Sequence, residues 1–204
     1  IKIGDPNYGL ENDMKRVEAS REAIGDKIDL MVDANCAFSL EQAIEFSKEL
    51  SNYDVYWFEE PLPIHDYEGH RILKKKSNMK IATGENGYHL EHFKNLTEKD
   101  CASIFNVDVA ICAGYDIALE ISGLAANNNI SISPHGCQEL QLPLVAGIEN
   151  GEFLEYYPKE VDPLRAEMFH PILKPDKDGY VSVPEKPGLG YDLNMNLLKK
   201  YQVL

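Results

Sequence analysis

Residues 55–61 read VYWFEEP: four β-branched or aromatic positions run into Glu59 and Glu60, with Pro61 behind them. Such a run suits a buried strand, and proline ends it because it has no N–H to donate. A carboxylate in the middle of a buried strand carries a heavy desolvation cost, so the acid sits where the strand stops. Working outward, the same design recurs on both sides. Residues 28–33 (IDLMVD) end at Asp33, 80–85 (KIATGE) at Glu85, 103–108 (SIFNVD) at Asp108, and 130–135 (ISISPH) at His135. From Asp33 to His135 the polar ends are spaced by 26, 26, 23 and 27 residues. That interval accommodates one strand and one crossover helix, and the pattern predicts an α/β fold with a parallel sheet.

Further strands are predicted at 1–4 and 153–157. Helices are predicted over about 10–25, 39–52, 66–76, 89–96, 114–127 and 138–149, from apolar residues at helical period. Ser39, followed by Glu41 and Gln42, supplies a capping start for the second helix, and Gly25 a stop for the first. Beyond residue 157 the texture changes. Prolines at 158, 163, 171, 175, 184 and 187 rule out a long helix, and DGYVSVPEKPGLG (178–190) reads as an extended arm. The expected division is a barrel over 1–157 and an arm over 158–204.

With 204 residues, 44% of them hydrophobic, the chain can bury one core. Its 20 basic and 34 acidic side chains leave a net charge of −14, a field that repels phosphate backbones and anionic lipid, so neither nucleic acid nor membrane is expected as a partner. No apolar run reaches the roughly 18 residues of a spanning helix, and the first residues lack the apolar core of a signal peptide, which points to a cytoplasmic location. Cys36, Cys101, Cys112 and Cys137 share no CxxC spacing and are expected to be reduced. Residue 1 is not Met and residues 1–4 read as the end of a buried strand, so further chain is expected upstream.

In a parallel barrel the carboxyl ends of the strands converge on one mouth. Asp33, Glu59 and Glu85 would repel one another there unless a hard dication joined them, and Mg²⁺ prefers such oxygen ligands. These three are the predicted metal ligands. Asp108 and His135, from neighbouring strands, are predicted to hydrogen-bond, which fixes the imidazole tautomer and prepares His135 as a general base. Lys2, across the barrel, is a candidate second base or acid, its pKa lowered by burial beside the metal. Asn35 could orient substrate or a water on the metal, or simply form a turn after the strand. Glu60, His65 and His70 read as structural, His89 and His92 as a solvated helix face, and Cys137 as a small hydrophobe behind His135.

The ordered set IKIG, MVDAN, WFEEP, HDYEGH, TGEN, NVD, SPH and FLEYY resembles the catalytic barrel of the mandelate racemase subgroup of the enolase superfamily, over nearly the whole chain. The resemblance implies a (β/α)8-type TIM barrel, in its modified (β/α)7β form, entered at the end of strand 2 and followed through strand 8. The C-terminal arm would pack back on the barrel and on an N-terminal capping domain. Lys2 matches the second lysine of the family's Lys-x-Lys element, and Asp33, Glu59 and Glu85 match its ligands for one Mg²⁺. Asp108 and His135 match its His-Asp dyad, and Glu155 matches the acid that hydrogen-bonds the substrate carboxylate. The first lysine, the first strand and the capping domain are not in this sequence. Ile111, Ala113 and Gly114 depart from the basic residue and paired glycines that many relatives carry after the dyad aspartate. The implied activity is removal of the α-proton of a small carboxylate through an enediolate, with dehydration of a sugar acid preferred, in a homo-oligomer. Alternatives are racemisation or epimerisation of a 2-hydroxy acid, a non-catalytic truncated fragment, or another metal-dependent barrel such as an aldolase.

Overall fold

The computed structural model describes residues 1–5, 7 and 9–202. In chain order its first elements are α1 (Gly9–Ile24), β1 (Leu30–Asp33), α2 (Leu40–Leu50), a 3₁₀ turn (Ser51–Tyr53), β2 (Val55–Glu59), α3 (Tyr67–Lys76) and β3 (Lys80–Thr83). There follow α4 (Leu90–Glu98), β4 (Ile104–Phe105), α5 (Tyr115–Ala126), β5 (Ser131–Ile132) and α6 (Gln138–Gly147). The five strands pair in parallel in sequence order. Parallel bridges from Lys2 to Asp33 and from Ile132 to Gly151 extend the array by one segment on each side. The sheet curls: the rings of Tyr56 and Trp57 on β2 lie 5.7 and 5.9 Å from that of Phe153, beyond the far edge. No pairing among the described residues joins Lys2 to Gly151, so the β/α barrel is incomplete.

Side-chain alternation explains both faces. Leu30 and Val32 of β1, Phe58 of β2 and Ile81 of β3 point outward and pack with Val17, Phe46 and Leu73 from the helices. A second outer core joins Phe105 and Ile132 to Phe93, Ile121 and Leu144. Trp57, Ala82 and Ile104 face inward. Leu30 pairs with Val55 but Met31 pairs with Trp57, so Tyr56 is an extra residue that twists β2 and puts Trp57 inside. The capping start of α2 forms as the sequence predicts: Ser39 Oγ accepts from Gln42 N and Ser39 N donates to Gln42 Oε1, at 3.3 and 3.0 Å.

Two expectations are corrected. Residues 153–157 do not form a strand, and the N–H groups at the two ends of the segment meet side chains instead of a neighbouring strand: Phe153 N donates to Ser133 Oγ (3.4 Å) and Tyr157 N to Gln138 Oε1 (3.0 Å). The arm is more regular than its prolines suggest, with α7 (Pro163–Met168), β6 (Phe169–His170), β7 (Asp192–Leu193) and α8 (Met195–Lys200). Pro163 stands at the start of α7, where a missing N–H costs nothing, and Asp162 caps that helix by accepting from Arg165 N at 3.0 Å. Residues 178–190 carry neither helix nor strand. The regular ladders of β4 and β5 are also shorter than predicted. Single bonds nevertheless carry the same course onward, from Asn106 N to Thr83 O (3.0 Å) and from His135 N to Val107 O (3.3 Å). Among the described residues no helix is long and apolar enough to cross a membrane.

Candidate active site

The carboxyl ends of β1, β2 and β3 place Asp33, Glu59 and Glu85 together, with one oxygen from each lying within 4.8 Å of the others. Neighbours hold them in place. Trp57 Nε1 donates to Glu59 Oε2 at 3.0 Å, Asn35 Nδ2 to Glu85 Oε1 at 3.2 Å, and Asn35 N to Asp33 Oδ1 at 2.8 Å. Asn35 thus forms the turn after β1 and also reaches a carboxylate of the cluster. Burial, followed by the charges of Asp33 and Glu85, pushes Glu59 up to about 8. Burial and the Glu60 carboxylate also raise Glu85, whose Oε2 is buried with no hydrogen-bond partner. Three crowded oxygen donors, one of them orphaned, fit a hard divalent cation.

On the far side of this cluster, His135 Nδ1 bonds Asp108 Oδ2 at 3.0 Å, and its Nε2 lies 3.8 Å from Glu85 Oε2. The Asp108 bond, opposed by burial and helped by the charges of Glu85 and Glu155, raises His135 to about 9. Burial works against the charge on Asp108, but bonds from His135 and Ala110 outweigh it and hold the carboxyl low. Gln141, which sequence reasoning did not single out, donates to Asp108 Oδ1 at 2.9 Å from inside α6. Lys2 forms an ion pair with Asp33. Burial disfavours its charge, yet Asp33, Glu85 and Glu59 together raise its pKa. Glu155 accepts from Gly136 N and from the Tyr157 hydroxyl, each at 2.8 Å. Lys2, Asp33, Glu59, His135 and Glu155 line one cavity of about 760 Å³ that runs down into the barrel.

The remaining candidates lie outside this cluster. Glu60 is fully buried and accepts from Asn86 Nδ2 (3.0 Å) and the Cys36 thiol (3.3 Å), bracing the turns that carry Glu85 and Asp33. His92 is not on a solvated face as expected. Its Nδ1 meets the Tyr67 hydroxyl at 2.9 Å among the rings of His65 and Phe93, and burial lowers it to about 4. His89 is exposed and His70 buried. Cys137 is half-buried and donates to Glu139 at 3.3 Å.

The sequence profile of the enolase C-terminal domain-like family matches residues 1–197. A 3,6-anhydro-α-L-galactonate cycloisomerase from Streptomyces coelicolor is 32% identical over 203 residues, covering 100% of this chain and 54% of the relative. Among solved structures, a racemase from Streptomyces coelicolor A3(2) with bound magnesium superposes with a TM-score of 0.91 at 31% identity, over 99% of this chain and 54% of that one. The L-talarate dehydratase from Polaromonas sp. JS666, complexed with Mg and L-glucarate, superposes with a TM-score of 0.88 at 29% identity, over 98% and 53%. The chain spans about half the length of the curated relatives it matches. With the strand order, the converging acids and the His-Asp pair all in place, the chain belongs to the enolase C-terminal domain-like family, the barrel of enzymes of the mandelate racemase and muconate lactonizing type.

Proposed function

We propose that this barrel binds one Mg²⁺ through Asp33, Glu59 and Glu85 and removes the α-proton of a sugar acid, leading to dehydration. The observation that carries the proposal is the convergence of the three carboxylates within 4.8 Å beside a histidine whose Nε2 lies 3.8 Å from one of them. Bound there, the metal would supply the positive charge that offsets the carboxylate cluster and the charge growing on the deprotonated acid. The same positive charge would relieve the pull of Glu85 on His135 and return the imidazole toward the neutral form a base requires. With Nδ1 committed to Asp108, His135 presents Nε2 to the α-carbon and takes its proton. A hydroxyl on the β-carbon then leaves with a proton as water, and the enol product becomes a 2-keto-3-deoxy acid. Glu155, anchored by Gly136 and Tyr157, stands beside the substrate carboxylate as its charge grows. Lys2 lines the same cavity from the β1 side, and in this reading it would serve the opposite face of the α-carbon. Relatives named as dehydratase and cycloisomerase, and one solved with a sugar acid in place, support this substrate class.

The test is incubation of the Mg²⁺-loaded protein with a library of sugar acids, following 2-keto-3-deoxy acid formation and α-deuterium uptake from D₂O. Dehydration is expected, and replacing the base in His135→Asn should lower kcat by about 10²- to 10⁴-fold. Exchange without loss of water would shift the reading to epimerisation. Failure to exchange the α-proton of any hydroxy acid would refute it.

A further inference from the structure

Gln141 is a polar side chain in an apolar setting. It is fully buried on α6, beside an apolar core that includes Val107, Val109 and Leu144. Both ends of its amide are used. Oε1 accepts from Val109 N at 3.3 Å, and Nε2 donates to Asp108 Oδ1 at 2.9 Å. A donor at one end and an acceptor at the other allow only this orientation of the amide. Asp108 Oδ1 also accepts from Ala110 N at 2.8 Å, so two donors occupy that oxygen and Oδ2 is left for His135 Nδ1 at 3.0 Å. Room for Oδ2 comes from Gly136, which has φ +95, and where an added Cβ would lie 2.5 Å from that oxygen. The cavity is lined by His135 but by neither Asp108 nor Gln141.

A carboxylate with one oxygen held by two donors cannot swing about its Cβ–Cγ bond. The imidazole bonded to its other oxygen keeps one tautomer, with Nε2 toward the cavity. A core glutamine serving only to fill space would be replaced at lower cost by an apolar residue of the same volume. We propose that Gln141 is a positioning residue for the base: through Asp108 it fixes the orientation of His135, and so α6 controls one of the two faces from which the α-proton can be taken. This rests on the proposed function in that His135 must be the base on its face.

The experiment compares Gln141→Leu and Gln141→Met in the full-length, Mg²⁺-loaded protein. Gln141→Leu removes both bonds with a branched apolar side chain of similar volume. Gln141→Met keeps the bulk and removes both bonds. With a sugar acid that the protein turns over, kcat is expected to fall about 10- to 100-fold with KM unchanged. With a pair of acids epimeric at the α-carbon, deuterium exchange should slow for the epimer whose proton faces His135 and persist for the one facing Lys2. Equal slowing on both faces, no change in kcat, or two variants that fail to fold would mark Gln141 as structural and overturn the proposal. A second readout does not depend on turnover. The Nδ1 proton resonance of His135, identified by its disappearance in His135→Asn, should be sharp in the parent protein and broadened in both variants. A resonance equally sharp in the variants overturns the role of Gln141 even if no acid is ever turned over, whereas broadening without any α-proton exchange in the parent would count against the proposed function alone.

Discussion

Glu59 shows what a bare carboxylate cluster does to its own members. Burial and the nearby charges of Asp33 and Glu85 raise it to about 8, well above an ordinary glutamate. Its folded pKa lies above its unfolded one, so its protonated form favours the folded state. That contribution is complete below about pH 4.5 and is lost as the pH rises through about 8. His135, raised to about 9, behaves in the same sense: its contribution is present below about pH 6.5 and lost as the pH climbs through about 9. If Glu59 is a ligand as proposed, a cation would replace its proton. The rise in melting temperature produced by saturating Mg²⁺ should therefore grow between about pH 5 and pH 8, and thermal melts with and without the metal across that range provide the check. A shift independent of pH would mean the metal does not compete with these protons. At this scale the three acids were legible because a charge at the end of an apolar run is a local pattern. The His135–Asp108 pair was legible only by half, since Asp108 could be named but the Gln141 bond to that partner could not.

Among the elements, helices and caps followed the sequence closely, and the loops after the strands held the surprises. Asn35, Cys36 and Glu60 all have positive φ in the turns around the acidic cluster. Ala113, in the turn before α5, has φ +82. An L-residue there is strained by about 1–2 kcal/mol, while glycine would lose about 0.5–1 kcal/mol of chain entropy on ordering. Ala113→Gly should therefore stabilise the protein by about 0.5 kcal/mol, a rise of about 1–2 °C in melting temperature measurable by calorimetry. A fall would show that the turn needs the methyl group. Segment 153–157 escaped the sequence reading for a related reason. Its alternation resembles a strand, but strand or loop is decided by what meets its N–H groups, and here Ser133 and Gln138 do so.

For the molecule as a whole, the proposed ligands come from three consecutive strands, so one cation would tie β1, β2 and β3 into a unit. Mg²⁺ at about a hundred times its Kd would add about 2.7 kcal/mol to stability. Hydrogen exchange with and without chelator should show added protection in those three strands and none in the β6–β7 pair of the arm; uniform protection would argue against a site shared by the strands. The order of the strands, the polar residue ending each one and the sign of the site's charge are properties of the sequence alone. They are written in side-chain period and desolvation cost, which act between neighbours along the chain. Tertiary structure alone decided that Gln141, 33 residues beyond Asp108, reaches the carboxylate oxygen that His135 does not use, that Asp33 captures Lys2, and that the Gly136 N–H and the Tyr157 hydroxyl hold Glu155 at the cavity. Those contacts depend on how helices pack across the barrel, and no local period encodes which donor a packed helix delivers.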